Sequence, residues 1–283
     1  MNKTELPPLD IPGLLRRYDI RPKKSLGQNF LVEPNSLEKV VSAARLEGGD
    51  IVLEIGAGIG SLTRWLAIRA GKVVAVELDE GLISVLKEVM AGFPNVQVVQ
   101  GDMLNLDPAR LVPPAQRGYV VVANIPYYIT SALIRHLLEA GSRPRCMTLT
   151  VQYEVARRIC AEAGEMSLLA LSVQLYGKPA VAARLPAQAF YPAPKVDSAV
   201  VRVELFEKPV IGNTAAFFRL AKAGFSQKRK TLRNALAGGL GWPAQQAERL
   251  IQLADLDPTR RAQTLTLGEW AKLVDALSIL PEQ

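Results

Sequence analysis

Four features able to do chemistry recur along the first half of the chain. They are the glycine loop "EIGAGIG" starting at Glu54, then Glu77, Asp102 and Asn124. Successive features lie 23, 25 and 22 residues apart, about one strand and one helix each. Each follows an apolar run: "DIVLEI", "KVVAVEL", "VQVVQ" and "YVVVAN". In a parallel sheet, all four would share the carboxyl edge, where open α/β sheets bind ligands.

Each feature suits part of a nucleoside. Gly56, Gly58 and Gly60 let the backbone approach a ligand closely and turn into a helix. The spacing departs from G-x-G-x-x-G, because the third glycine comes one place early and Ser61 takes the expected position. Glu77 can accept from both hydroxyls of a ribose, and its charge would repel a 2′-phosphate, which argues against NADP. Asp102 can accept from the exocyclic amine of an adenine. No lysine of the G-x-x-x-x-G-K type is present, which disfavours ATP. Several nucleoside cofactors remain open at this point.

The stretch "NIPYYIT" ends the fourth run. The Asn124 amide oxygen is a hydrogen-bond acceptor. Ile125 precedes Pro126 and is biased to extended backbone, which can turn its carbonyl toward a ligand. Two acceptors suit a planar amine with two N–H groups, and Tyr127 adds a face for stacking, worth ~1–3 kcal/mol. The adenine N6 lone pair is delocalised into the ring and is a poor nucleophile. Acceptors drawing on its hydrogens favour a pyramidal nitrogen that can attack an electrophile such as a sulfonium methyl. Catalysis would then rest on placement and electrostatics.

The elements that must carry these residues alternate. Strands and helices interleave through the first half, which predicts a parallel sheet covered on both faces. "RCMTLTVQ" and "DSAVVRVEL" read as further strands, with helices at about 153–163 and 167–176. Asn35 and Glu38 suggest a capping box on the first long helix. Beyond residue 207 the pattern is wholly helical. The expected organisation is a loosely held N-terminal arm (1–22), an α/β domain (23–206) and a small all-helical domain (207–283).

Composition excludes other chemistries. With 49% hydrophobic and 22% charged residues, the chain reads as a folded soluble protein. One histidine, His136, and two scattered cysteines, Cys146 and Cys160, disfavour zinc sites and histidine-assisted nucleophiles, so no metal is expected. "MNKTELPPLD" has no apolar core of a signal peptide and no run is long enough to span a membrane, so a cytoplasmic protein is expected. The formal charge of +7 permits a polyanionic partner.

The ordered set "KKSLGQNFL", "VLEIGAGIGSLT", "AVELD", "GDML", "NIPYYIT" and "FYPAPKVDSAVVR" resembles the S-adenosylmethionine-dependent rRNA adenine N6-dimethyltransferases, and most closely their bacterial small-subunit type. The resemblance runs from about residue 20 to 236, and Ile125 in place of leucine is its mild variation. It implies a Rossmann-like methyltransferase domain with a helical RNA-binding domain. It implies S-adenosylmethionine, converted to S-adenosylhomocysteine, on Asn29, Leu31, Gly56, Glu77, Asp102 and Asn124. Gln28 lies beside that set, and Gly58 joins it from the glycine loop. It implies Asn124 and Tyr127 at the target base, with Phe190 stacking on the other face. The implied substrate is a pair of adjacent adenosines in the 3′-terminal hairpin loop of 16S rRNA, within a partly assembled small ribosomal subunit. A role in subunit biogenesis comes with it, and the plain expectation is a monomer.

From Lys208 to Ala247 no acidic residue occurs, while Arg219, Lys222, Lys228, Arg229, Lys230 and Arg233 do. Such a tract favours phosphate backbones. Arg16, Arg17, Lys23 and Lys24 could add a second basic lip. Three other readings compete. One is a large-subunit rRNA adenine methyltransferase of the antibiotic-resistance type. Another is a mainly structural assembly factor. The third is a DNA adenine methyltransferase, for which the chain leaves little room for a sequence-reading domain.

Overall fold

The computed structural model describes residues 6–112, 118–126 and 129–280. Its strands are β1 (Phe30–Leu31), β2 (Ile51–Ile55), β3 (Lys72–Glu77), β4 (Val96–Gln100), β5 (Tyr119–Asn124), β6 (Cys146–Gln152), β7 (Gly177–Leu185), β8 (Phe190–Tyr191) and β9 (Ser198–Leu205). The helices are α1 (Ile11–Arg17), α2 (Pro34–Ala44), α3 (Ser61–Ala67), α4 (Glu80–Met90), α5 (Pro108–Leu111), α6 (Thr130–Glu139), α7 (Tyr153–Ile159), α8 (Leu168–Gln174), α9 (Thr214–Gly224), α10 (Leu232–Leu240), α11 (Ala244–Leu253) and α12 (Leu267–Ile279).

Seven strands form one sheet in the order β4-β3-β2-β5-β6-β9-β7. β2 to β6 pair in parallel, and β9 runs antiparallel to β6. The apolar runs explain the parallel core: β2, β3 and β5 are buried almost end to end. The chain leaves β2 through β3 to β4, then returns to lay β5 on the other side of β2. That reversal creates a crevice outside the carboxyl ends of β2 and β5. The Rossmann-like α/β architecture expected from the alternation is therefore present.

The chain divides into two compact units, Met1–Ala156 with Pro179–Leu205, and Arg157–Lys178 with Phe206–Gln283. The second unit is larger than the single break near residue 207 suggested. Its early segment is tied to later residues, with Gly164 and Met166 donating to the Gln263 carbonyl and Val210 to that of Leu175. Its core holds Phe217, Leu236, Ile251 and Trp270, and a capping box at Thr266 and Glu269 opens α12.

Two local readings need correction, and one strand was not read from the sequence. The N-terminal arm is not loose over its described length: α1, capped by Asp10, buries Ile11 and Leu15 against Phe30, Ile59, Leu82 and Val85. Arg17 and Tyr18 hydrogen-bond Glu88. The cap of α2 is Glu33, which accepts from Asn35 N and Ser36 N, while Glu38 pairs with Arg69 at 2.7 Å. β7 is a strand although "GKPAVAARL" is poor in strand signals. It lies at the sheet edge, where its exposed side chains and Pro179 are tolerated.

Candidate active site

The crevice is a cleft of about 820 Å³ open to solvent. Its floor comes from the ends of β2, β3, β4 and β5, and one wall from residues Leu26 to Phe30. Three of the four sequence features meet there as Gly56, Glu77 and Asp102, and the fourth as Asn124. A small adjoining recess is lined by Leu31, Gly56, Ser61 and Asn124 among others.

The glycine loop allows close approach. Gly56 and Gly58 have φ of +76° and +59°, which side chains rarely adopt. A Cβ on Gly58 would sit 3.0 Å from the Phe30 ring. The loop is fixed by Gly56 N and Ala57 N, which both donate to the Val76 carbonyl.

Glu77 is 7% exposed. One carboxylate oxygen accepts from Gly58 N at 2.7 Å and the other from Asp79 N at 2.8 Å. Each oxygen keeps a further lone pair, which suits two adjacent hydroxyls. Burial holds its pKa above the usual carboxylate range, opposed by those backbone donors. The neighbouring Glu54 is fully buried, and its Oε2 has no partner among the described residues. Burial, with the nearby charge of Glu77, pushes its pKa up to about 8.

Asp102 caps its own turn, accepting from Leu104 N at 2.9 Å and Asn105 Nδ2 at 2.8 Å. Its loop is tied to α6 where His136 Nε2 donates to the Leu106 carbonyl at 2.8 Å. Sequence reasoning passed over two cleft residues, Leu78 and Met103. Leu78 is 45% exposed and lines the cleft with its apolar side chain. A signal existed, since an apolar residue directly follows each edge acid in "EL" and "DM".

Asn124 Nδ2 donates to the Asn29 carbonyl at 2.9 Å. That bond uses one Nδ2 hydrogen and orients the amide, leaving the second N–H and the Oδ1 acceptor for other partners. Ile125 N donates to the Thr150 carbonyl, and Ile125 and Pro126 line the cleft. Tyr127 lies outside the described residues.

Other expected site residues are placed differently. Gln28 lines the cleft, but its Nε2 donates to Asp79 and its Oε1 accepts from Lys23 N, both at 2.7 Å. Its amide therefore holds the wall together. Phe190 is 4% exposed, within the apolar cluster around Leu31 and Leu185. β8 pairs antiparallel with β1, and strand alternation turns Phe190 inward and Tyr191 outward. The Phe190 ring has no free face for a base as it stands.

Among the basic residues, Lys23 is ion-paired to Asp79 at 2.7 Å, while Lys24 is exposed. Lys222, Lys228, Arg229 and Lys230 are exposed in the helical unit. Arg219 lies over the Trp242 ring at 5.7 Å, and Arg233 pairs with Glu248 at 3.2 Å. Among the described residues no group of histidine, cysteine and acidic side chains could hold a metal, and no described helix is long and apolar enough to cross a membrane.

The cleft and its topology define a Rossmann-like α/β domain, and known proteins narrow the class to RNA methyltransferases. The family model "Ribosomal RNA adenine dimethylase" matches residues 20–278. The chain belongs to that family. It is 44% identical over 262 residues to the ribosomal RNA small subunit methyltransferase A of Dehalococcoides mccartyi, covering 92% of this chain and 90% of that one. A dimethyladenosine transferase from Plasmodium falciparum superposes with a TM-score of 0.74 at 31% identity, over 86% of this chain and 95% of that one. The 23S rRNA methyltransferase ErmE superposes with a TM-score of 0.70 at 28% identity, over 88% of this chain and 100% of that one. The resemblance read from the motifs, and the enzyme class it implied, therefore hold.

Proposed function

We propose that the protein transfers methyl groups from S-adenosylmethionine to N6 of two adjacent adenosines in the 3′-terminal hairpin loop of 16S rRNA, giving N6,N6-dimethyladenosine. The observation that carries this reading is the Asn124 amide, fixed through its donor end and left with an acceptor at the switch point of the sheet. The small-subunit substrate is supported by the 44% identity to a small-subunit enzyme, against 28% to the large-subunit enzyme ErmE.

The residues present fit the cofactor. Glu77 offers one acceptor per carboxylate oxygen to a ribose diol. Asp102 stands at the adenine end, with Leu78 and Met103 beside it. Gly56, Gly58, Asn29 and the Leu31 recess leave room for the amino-acid portion. When bound, S-adenosylmethionine supplies an electrophilic methyl and leaves as S-adenosylhomocysteine.

Asn124 Oδ1 and the Ile125 carbonyl accept the two N6 hydrogens of the target adenine. This holds the nitrogen lone pair toward the cofactor side of the cleft. The protonated product amine loses its proton to water, so the site needs no strong base. Tyr127 and Phe190 are the aromatic residues for stacking. For Phe190 this requires β8 to shift and expose the ring. Lys24 and the exposed Lys222, Lys228, Arg229 and Lys230 would hold phosphates of the rRNA in a small subunit or its assembly intermediate. A cytoplasmic monomer acting in subunit biogenesis completes the reading.

The test uses small subunits from a strain lacking its own dimethylase. They are incubated with the protein and methyl-labelled S-adenosylmethionine, and the digested nucleosides are identified. N6,N6-dimethyladenosine in the 3′-terminal fragment is the expected result. Label in large-subunit RNA alone would overturn the substrate, and tight particle binding with no label would make the protein an assembly factor.

A further inference from the structure

Asp79 belongs to no cleft wall, yet its Oδ2 and its backbone N–H reach Gln28 and Glu77, which do. It caps α4, its Oδ1 accepting from Gly81 N at 3.1 Å. An acid in that position is ordinarily solvated, whereas the Asp79 side chain is 3% exposed. The same Oδ1 lies 2.7 Å from Lys23 Nζ, and Oδ2 accepts from Gln28 Nε2 at 2.7 Å. Gln28 Oε1 in turn accepts from Lys23 N, closing the segment around Gly27, which has φ of +61°. The backbone of Asp79 meanwhile donates to Glu77 Oε1.

The segment held this way runs on into the cleft wall, Leu26 to Phe30. Asn29 presents its carbonyl to Asn124 Nδ2, a contact between residues 95 positions apart in sequence. Beyond it, a two-residue ladder joins β1 to β8, and Val32 N and Glu33 N donate to the Ala189 carbonyl. The strap is therefore held at its start by one buried carboxylate and continues into a segment fixed by backbone pairing and by the buried Phe30 and Leu31.

We propose that Asp79 is a positioning residue that holds Lys23–Asn29 as a strap across the cleft, and through Asn29 fixes the Asn124 amide with its acceptor toward the target base. The inference rests on the reading of the cleft as a methyl-donor site. Asp79 touches neither cofactor nor substrate. It acts on the cofactor through the wall and the Glu77 carboxylate, and on the target through Asn29. Hydrogen bonds to a buried charge are the strong kind, and both side-chain partners of this carboxylate come from the strap.

The polarity of the pair supplies a rescue. Asp79→Asn keeps an acceptor for the α4 cap but loses the charge and sets an amide donor against the Gln28 or Lys23 donor. Gln28→Glu in the same chain returns a carboxylate to the pair, with donor and acceptor exchanged: the new amide at position 79 donates and the new carboxylate at position 28 accepts. The full-length parent, D79N, Q28A and the Q28E D79N double variant are compared. S-adenosylhomocysteine binding is measured by calorimetry, with Tm read in its absence and single-turnover methylation of small subunits at saturating cofactor.

D79N and Q28A are expected to weaken S-adenosylhomocysteine by about tenfold, the loss typical of one hydrogen bond to a charged group. They should also slow the single-turnover rate, and the double variant should recover most of both. Near-parental Tm in Q28A with weakened binding marks a positioning role. Variants that lose Tm but bind and react like the parent would overturn the proposal, as would a double variant no better than D79N. Failure of the parent itself to bind S-adenosylhomocysteine would instead overturn the donor-site reading, and this inference with it.

Discussion

Glu77 and Gln28 face the same cleft but are held in place by different means. Glu77 ends a strand that pairs with β2 on one side and β4 on the other, and two backbone N–H groups fix its carboxylate. Gln28 sits on a segment outside the main sheet, held by its own backbone turn and by side-chain bonds to Asp79 and to Lys23 N. The sheet edge is therefore placed by strand pairing, whereas the side-chain contacts of the strap converge on Asp79. The comparison teaches that two walls of one cleft can be placed by different means, one by backbone ladders and the other by side-chain bonds as well.

The largest effect on the sheet side should come from Glu77→Gln. It removes the charge and sets an amide donor against Gly58 N or Asp79 N. S-adenosylhomocysteine should bind roughly tenfold to a hundredfold more weakly by calorimetry, as for the loss of charge-assisted hydrogen bonds. A variant that binds like the parent would show that Glu77 is only a strand-end brace.

Reversing charge at Lys228, Arg229 and Lys230 touches neither side of the cleft. These residues are exposed in the helical unit. Particle affinity should fall on the order of tenfold or more at low salt, with a shallower salt dependence. S-adenosylhomocysteine affinity should stay put in the same calorimetric measurement.

Gly58→Ala tests the point where strap and loop meet. The added Cβ must adopt φ near +59° and meet the Phe30 ring at 3.0 Å. A loss of about 1–3 kcal/mol in denaturant unfolding is expected, together with weaker cofactor binding.

The smallest effect probes the buried base of the edge. Burial pushes Glu54 up to about 8. The folded chain keeps a proton that the unfolded chain releases above its ordinary range. Stability from this group therefore falls as pH rises from the ordinary carboxylate range toward about 8. Glu54→Gln removes that dependence, so its Tm advantage over the parent should grow between about pH 5 and pH 9. A constant difference would show that Glu54 is ionised throughout.

What was legible follows the same division. Periodic apolar runs marked out the parallel strands, and their spacing put Glu77, Asp102 and Asn124 on one edge, because sheet geometry leaves strand ends little choice. The helices of the second unit were equally clear from their apolar spacing. β7 was not legible, since an exposed edge strand needs neither alternation nor branched residues, and the binding of residues 157–178 to the C-terminal helices depends on long-range contacts such as those to Gln263. The bonds of Gln28 to Asp79 and Lys23 were not legible, because they join residues distant in sequence or depend on a turn. Nor does "FYPAPKV" show that pairing with β1 turns Phe190 inward.

The measurement that most directly tests the central claim is single-turnover methyl transfer by Asn124→Ala. Small subunits and S-adenosylmethionine are both saturating, and S-adenosylhomocysteine binding is measured alongside. If the Asn124 acceptor orients the target amine, the rate should fall by roughly a hundredfold or more, the scale of losing one preorganised transition-state contact. Cofactor affinity should change far less. A variant that methylates at the parental rate would contradict the account and move the grip on the adenine elsewhere in the cleft.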